Sequence, residues 1–112
     1  MLSFLPPTVR GVAASLMLAA NTLVWCLLLF ALSLLKLALP FAPVRAVIDP
    51  LLNGIATRWI AGNSGWMRLT QRTAWDVEGL EGFAWRGWYM VCANHQTWVD
   101  IFVLQHLFNR RI

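Results

Sequence analysis

Charge is scarce in this sequence. Only 12 % of its 112 residues are Asp, Glu, Lys or Arg, against roughly a quarter in ordinary globular chains. That deficit is unusual for a soluble protein and points to lipid as part of the solvent. Acidic residues are especially few: five, against nine basic ones, for a net charge of +4. The basic residues lie scattered among Trp, Leu and Ile and form no polar run, so an anionic membrane surface is the expected partner and nucleic acid is not. Cysteine is limited to Cys26 and Cys92. Cys26 sits in a long apolar run and Cys92 in a short one, with no CxxC or Cys/His metal spacing, which leaves no basis for a disulfide framework or a metal site. Internal repeats and low-complexity segments are also missing.

Apolar residues fill the space that charge vacates, at 59 % of the chain and a mean hydropathy of +0.60. Gly11 to Leu35 carries no charge and is bracketed by Arg10 and Lys36. About 20 apolar residues span a bilayer as a helix, whereas the apolar core of a signal peptide runs only about 7–15. The expectation is one transmembrane helix over about residues 10–38, within an anchor of residues 1–40. Asn21 and Thr22, near its middle, mark the place where such a segment would break if it dipped in and returned. A plain spanning helix is the default. After the run come Lys36, Arg45, Arg58, Arg68 and Arg72 against the single acid Asp49. The preference of positive residues for the cytoplasm then puts the rest of the chain on that face.

Residues 41–73 read as amphipathic interfacial helices. Val44, Val47, Ile48, Leu51, Leu52, Ile55 and Trp59 recur at three-and-four spacing over 43–61. Pro50 should start or kink a helix there. This helix either lies in the membrane interface or packs on a following domain. Gly62-Asn63-Ser64-Gly65 reads as a turn that ends it, with a second short helix from Trp66 to Thr73. Trp25, Trp59 and Trp66 suit interfacial anchoring.

The pattern changes from residue 74. Trp75 to Leu80 alternates apolar and polar like a half-buried strand, Glu81-Gly82 reads as a turn, and Trp88 to Ala93 suits a strand buried on both faces. A helical pattern follows through Trp98, Ile101, Phe102, Leu104 and Leu107. Strand, strand, polar loop and helix predict the start of an α/β domain over 74–112.

Only Asn94 to Asp100 is chemically pointed. On one helix His95 and Asp100 would stand about 140° apart and never meet. They meet only if the backbone changes direction between them, as a loop-to-helix junction allows. A carboxylate there can orient one ring nitrogen of His95 and leave the other to take a proton from an attacking alcohol. The plain alternative is that Thr97-x-x-Asp100 is a capping box and His95 an ordinary loop histidine. His106 reads as a surface or packing residue, and Arg110 and Arg111 as facing water or headgroups.

Asn94-His95-Gln96-Thr97-Trp98-Val99-Asp100 resembles the Asn-His-x-Ser-x-x-Asp signature of the phospholipid/glycerol acyltransferases, the family that includes 1-acylglycerol-3-phosphate acyltransferase. Thr97 stands where Ser is commoner and keeps the hydroxyl. Val77-Glu78-Gly79-Leu80-Glu81 and Trp88 to Ala93 resemble the lead-in to that histidine. The Trp-rich lead-in and the Phe-Asn-Arg-Arg-Ile ending look most like a bacterial membrane-bound subgroup.

The resemblance implies an O-acyltransferase of phospholipid biosynthesis on the cytoplasmic face of the bacterial inner membrane. His95 would be its general base and Asp100 the partner, with Asn94 and Thr97 supporting and Trp98 a candidate for contact with substrate. The donor would be an acyl-CoA or acyl-carrier-protein thioester and the acceptor a lysophosphatidate-like lipid. No metal or redox cofactor is implied. The family's later motifs do not occur in these residues, so the expectation is an incomplete domain, inactive by itself. The competing reading is a small, non-enzymatic basic membrane protein in which His95 can be replaced freely.

Overall fold

The computed structural model describes residues 4–84 and 87–109. Its elements are α1 (Pro7–Ala38), α2 (Ala42–Thr70), a 3₁₀ turn (Leu80–Gly82) and α3 (Val99–Phe108). Arg110, Arg111 and the rest of the Phe-Asn-Arg-Arg-Ile ending beyond Asn109 lie outside the described residues.

α1 begins on Pro7, whose fixed φ suits the first helical turn. It continues through leucine and alanine, which propagate a helix well. Lys36 in the last turn complements the helix dipole. Pro40 disfavours helical geometry at the residue before it, and Leu39 leaves the helix at φ −121°. The helix is unbroken at Asn21 and Thr22. With 32 residues and a best-window mean hydropathy of 2.2, it is long and apolar enough to cross a membrane. None of that window is buried in the protein, which distinguishes it from the core helix of a soluble domain. Leu23, Leu27, Phe30 and Leu34 are each more than 60 % exposed. A continuous apolar face of this kind is rare on a water-soluble monomer.

α2 corrects the sequence reading at one place. Gly62-Asn63-Ser64-Gly65 is not a turn; the helix runs through it to Thr70, and no separate second helix follows. The reason is tertiary. Asn63 spends its side chain on α1, and Ser64 Oγ donates back to the Ile60 carbonyl at 3.0 Å, so neither supports a turn. Gly62 lacks a Cβ where one would collide with the Asn21 carboxamide. Pro50 also lies inside the helix, at the cost of one backbone hydrogen bond.

α1 and α2 form an antiparallel hairpin about the short link at residues 39–41. Lys36 pairs with Asp49 next to the link. Midway, Asn21 Nδ2 donates to Asn63 Oδ1 at 2.9 Å. At the open end Trp66 Nε1 donates to the Ala14 carbonyl at 2.8 Å. The 43–61 helix is part of α2, which packs along α1 and also against α3 of the following segment. The fold-back also returns Arg68 and Arg72 to the level at which α1 begins. Among the described residues Ile48, Asn63, Trp66 and Met67 are buried, and all lie on α2, which contacts α1 and α3. α3 runs antiparallel to α2, with the Phe102 ring 5.8 Å from Trp66 and Asn109 Nδ2 3.4 Å from the Thr57 carbonyl.

The expected α/β architecture is overturned. No strand occurs among the described residues, and helices make up 71 % of them. Trp75–Leu80 is irregular until Gly79 takes a left-handed φ of 78° and opens the 3₁₀ turn. Trp88–Ala93 is irregular as well, with Trp88 fully exposed and Met90 90 % exposed. A β-prone run becomes a strand only with a partner to accept its hydrogen bonds. None of the described residues supplies one.

Candidate functional site

Residues 94–100 turn sharply from an extended approach into α3, and the turn is built by its own polar side chains. The Asp100 amide donates to the Thr97 carbonyl at 3.1 Å, and the Ile101 amide to that of Trp98 at 3.3 Å. Thr97 Oγ1 accepts the Val99 amide at 3.2 Å. Asp100 Oδ2 accepts two amides in return, from Gln96 at 2.7 Å and Thr97 at 2.9 Å. This is the reciprocal logic of a capping box, with Thr97 at the start and the acid three residues on. Asp100 thus caps backbone amides as the capping alternative expects, whereas Trp98, the residue before α3, makes no side-chain cap bond.

The same carboxylate oxygen also faces the histidine. His95 Nδ1 lies 3.4 Å from Asp100 Oδ2. The turn brings together two side chains that a continuous helix would hold apart. At 3.4 Å the approach is slightly longer than a good N–H···O bond, as polar contacts in ligand-free sites often are. Capping and facing His95 are compatible because a carboxylate offers several lone-pair directions.

The electrostatics follow from the turn. The Thr97 and then the Gln96 amide hold the Asp100 carboxyl below the usual carboxylate range, with smaller help from His95. The backbone amides thus favour the anionic form of Asp100 beyond its ordinary preference. His95 is the more open partner, its side chain 60 % exposed against 32 % for Asp100. An exposed imidazole with one nitrogen beside a fixed anion can exchange a proton with a bound hydroxyl through the other nitrogen.

The remaining sequence candidates divide. Thr97 belongs to the turn. Asn94 is exposed and makes no side-chain hydrogen bond among the described residues. Trp98 is 61 % exposed and sets its ring edge-on to Phe102, with centroids 5.5 Å apart. Through Phe102 it connects to Trp66, so it ties the start of α3 to α2. Both cysteines are free, Cys26 half-buried and Cys92 exposed. No group of three metal-ligating side chains occurs among the described residues.

Two features escaped the sequence reading. One is the polar seam in the hairpin, where Asn21 Oδ1 also accepts Trp25 Nε1–H at 2.9 Å. The other is a cleft of about 480 Å³ at the open end of α2, where Arg68 and Arg72 meet Trp75 and His106. The pair of arginines four residues apart, just before a tryptophan, was its only signal. Comparison of the chain with protein-family models, with curated proteins and with solved structures gives no match.

Proposed function

We propose that the chain carries the general-base pair of a membrane-bound O-acyltransferase, with His95 as base and Asp100 as its anionic partner. The observation that carries this reading is the 3.4 Å approach of His95 Nδ1 to an Asp100 oxygen anchored by two backbone amides. His95 Nε2 takes the proton of an acceptor hydroxyl as that oxygen attacks a thioester carbonyl. The new C–O bond forms, the C–S bond breaks, and the thiol leaves with the proton from the imidazolium. Asp100 keeps the ring oriented throughout. The donor is an acyl-CoA or acyl-carrier-protein thioester and the acceptor a lysophosphatidate-like glycerophospholipid, as the resemblance around Asn94–Asp100 implies.

The proposed location is the bacterial inner membrane, with this site on the cytoplasmic face. Arg10, Arg68 and Arg72 cluster at the open end of the hairpin, and positive charge favours the cytoplasm. The start of α3 lies at the same end.

The test is transfer of labelled acyl groups from acyl-CoA to lysophosphatidate in membranes carrying the complete reading frame. His95→Ala should lower label in phosphatidate by at least about 100-fold. Equal activity in both would remove His95 from the mechanism.

One observation favours a second reading, a non-enzymatic membrane protein. Every buried residue among those described belongs to α2, while His95 is exposed, so the hairpin packs without the His95 segment. That reading expects His95→Ala to be silent in every assay.

A further inference from the structure

The cleft at the open end of α2 has the apolar Met67 and Ala74 in its wall beside groups that attract or hydrogen-bond an anion. Arg68, Gln71, Arg72, Thr73, Trp75 and His106 line it, and no carboxylate does. A second hollow of about 310 Å³ adjoins it and shares Arg68 and His106. The larger one lies within the size range of small-molecule sites.

Neither guanidinium has an ion-pair or side-chain hydrogen-bond partner among the described residues, where the ion pairs are Lys36–Asp49 and His95–Asp100. The Trp75 ring leans on His106, with centroids 5.1 Å apart, and forms one wall. The carbonyl end of α2 opposes an anion with the equivalent of about half a charge, which two guanidiniums outweigh. The cleft is also placed at one level of the membrane. Trp66, two residues before Arg68, bonds to Ala14 of α1, so the arginines sit beside the first turns of the helix that is long and apolar enough to cross a bilayer.

We propose that this cleft binds a phosphate group, gripped by Arg68 and Arg72 and closed by Trp75 and His106. Bidentate guanidinium pairing with phosphate oxygens is the strong form of such a contact. His106 lies six residues past Asp100 on α3, about 9 Å along the axis, so the phosphate site is separate from the His95–Asp100 pair. It stands or falls independently of the acyl-transfer reading. The phosphate comes either from a lipid headgroup at the membrane surface or from a soluble anion.

The test is a titration of the full chain in maltoside micelles with dihexanoyl phosphatidate, inorganic phosphate or dihexanoyl phosphatidylcholine. It is read by calorimetry and by the imidazole resonances of His106. Arg68→Gln and Arg72→Gln should each weaken phosphatidate binding about tenfold. Arg58→Gln, elsewhere on α2, should change it less than about twofold. Arg72 lies beyond the end of α2, so its replacement spares the helix, and circular dichroism checks each variant. The bound phosphate should move the His106 resonances, and Arg68→Gln should abolish the movement.

Phosphatidate binding without inorganic phosphate binding identifies a lipid headgroup; binding of both identifies a site for phosphate from either source. Three results overturn the proposal: no binding of either, equal binding of phosphatidylcholine, or equal weakening by Arg58→Gln.

Discussion

Asn21 and Asn63, 42 residues apart in the chain, share a 2.9 Å hydrogen bond across the α1–α2 interface. Asn63 is buried to 4 % exposure, and Asn21 meanwhile accepts the indole of Trp25 and fills the space over Gly62. One side chain thus fixes the register of two helices. Asn21→Ala leaves a buried carboxamide and an indole N–H without partners, and should cost about 1–2 kcal/mol of hairpin stability. Asn21→Leu with Asn63→Leu removes both carboxamides together, leaving only the Trp25 indole N–H unpartnered, and should cost less than the sum of Asn21→Leu and Asn63→Leu alone. Unfolding of the four proteins in detergent measures this. Additive losses would show that the two amides do not act as a pair.

Trp66 joins all three helices. Its indole bonds to Ala14 of α1, and its ring contacts Phe102 of α3. Trp66→Phe keeps a six-membered ring but loses the hydrogen bond and part of the indole, so a loss of about 1–2 kcal/mol is expected. Trp66→Ala also opens a cavity and should cost about 3–5 kcal/mol. Thermal unfolding should rank them in that order; equal effects would mean that the ring contributes nothing.

Asp100 has two roles that substitution separates. Asp100→Asn keeps an acceptor for the Gln96 and Thr97 amides but removes the anion beside His95. The helix content of α3 should therefore change little, while acyl transfer should fall by about 10²–10⁴. The pH dependence has a definite sign. The carboxyl is held below its usual range in the folded state, so the unfolded state binds the proton more readily. The cap's contribution is present above the ordinary carboxylate value near 3.8 and is lost as pH falls through the lower folded value. A pH series of the helical signal, run with and without Asp100→Ala, isolates it. Curves that superimpose down to low pH would deny the cap any role.

His106 predicts a second pH effect in a higher window. Burial, and then the nearby charge of Arg68, depress its pKa below the ordinary 6.5. Again the unfolded state is the better proton acceptor. The docking of α3 on α2 should be at full strength above that value and weaken as pH falls through the folded one. Hydrogen exchange of α3 amides at pH 7.5 and pH 5 reads this, and His106→Gln should flatten the difference. If the wild-type rates, corrected for intrinsic exchange, match at both values, His106 does not couple to docking.

Local chemistry made parts of this molecule legible in advance. The uncharged run from Gly11 to Leu35 announced α1, because apolar length needs no partner to be recognised. Thr97 and Asp100 announced the start of α3, since a capping box is completed within a few residues. The seam was invisible because Asn21 and Asn63 acquire meaning only when the hairpin aligns them. The strands at 75–80 and 88–93 were misread because β-propensity describes a fit to neighbours, and no neighbour accepts them here. Gly62 to Gly65 looked like a turn by composition, yet the contact with Asn21 holds that segment helical.

By itself the sequence determined an apolar helix, a basic balance and a His-Asp pair that a turn would have to join. These depend on composition and on chemistry within a few residues. Tertiary structure decided that α2 folds back on α1, that Asn21 meets Asn63, and that Arg68 and Arg72 share a cleft with His106. The physical reason is range: hydrophobic length and capping act along the chain, whereas helix register and charge clustering exist only once distant segments have packed.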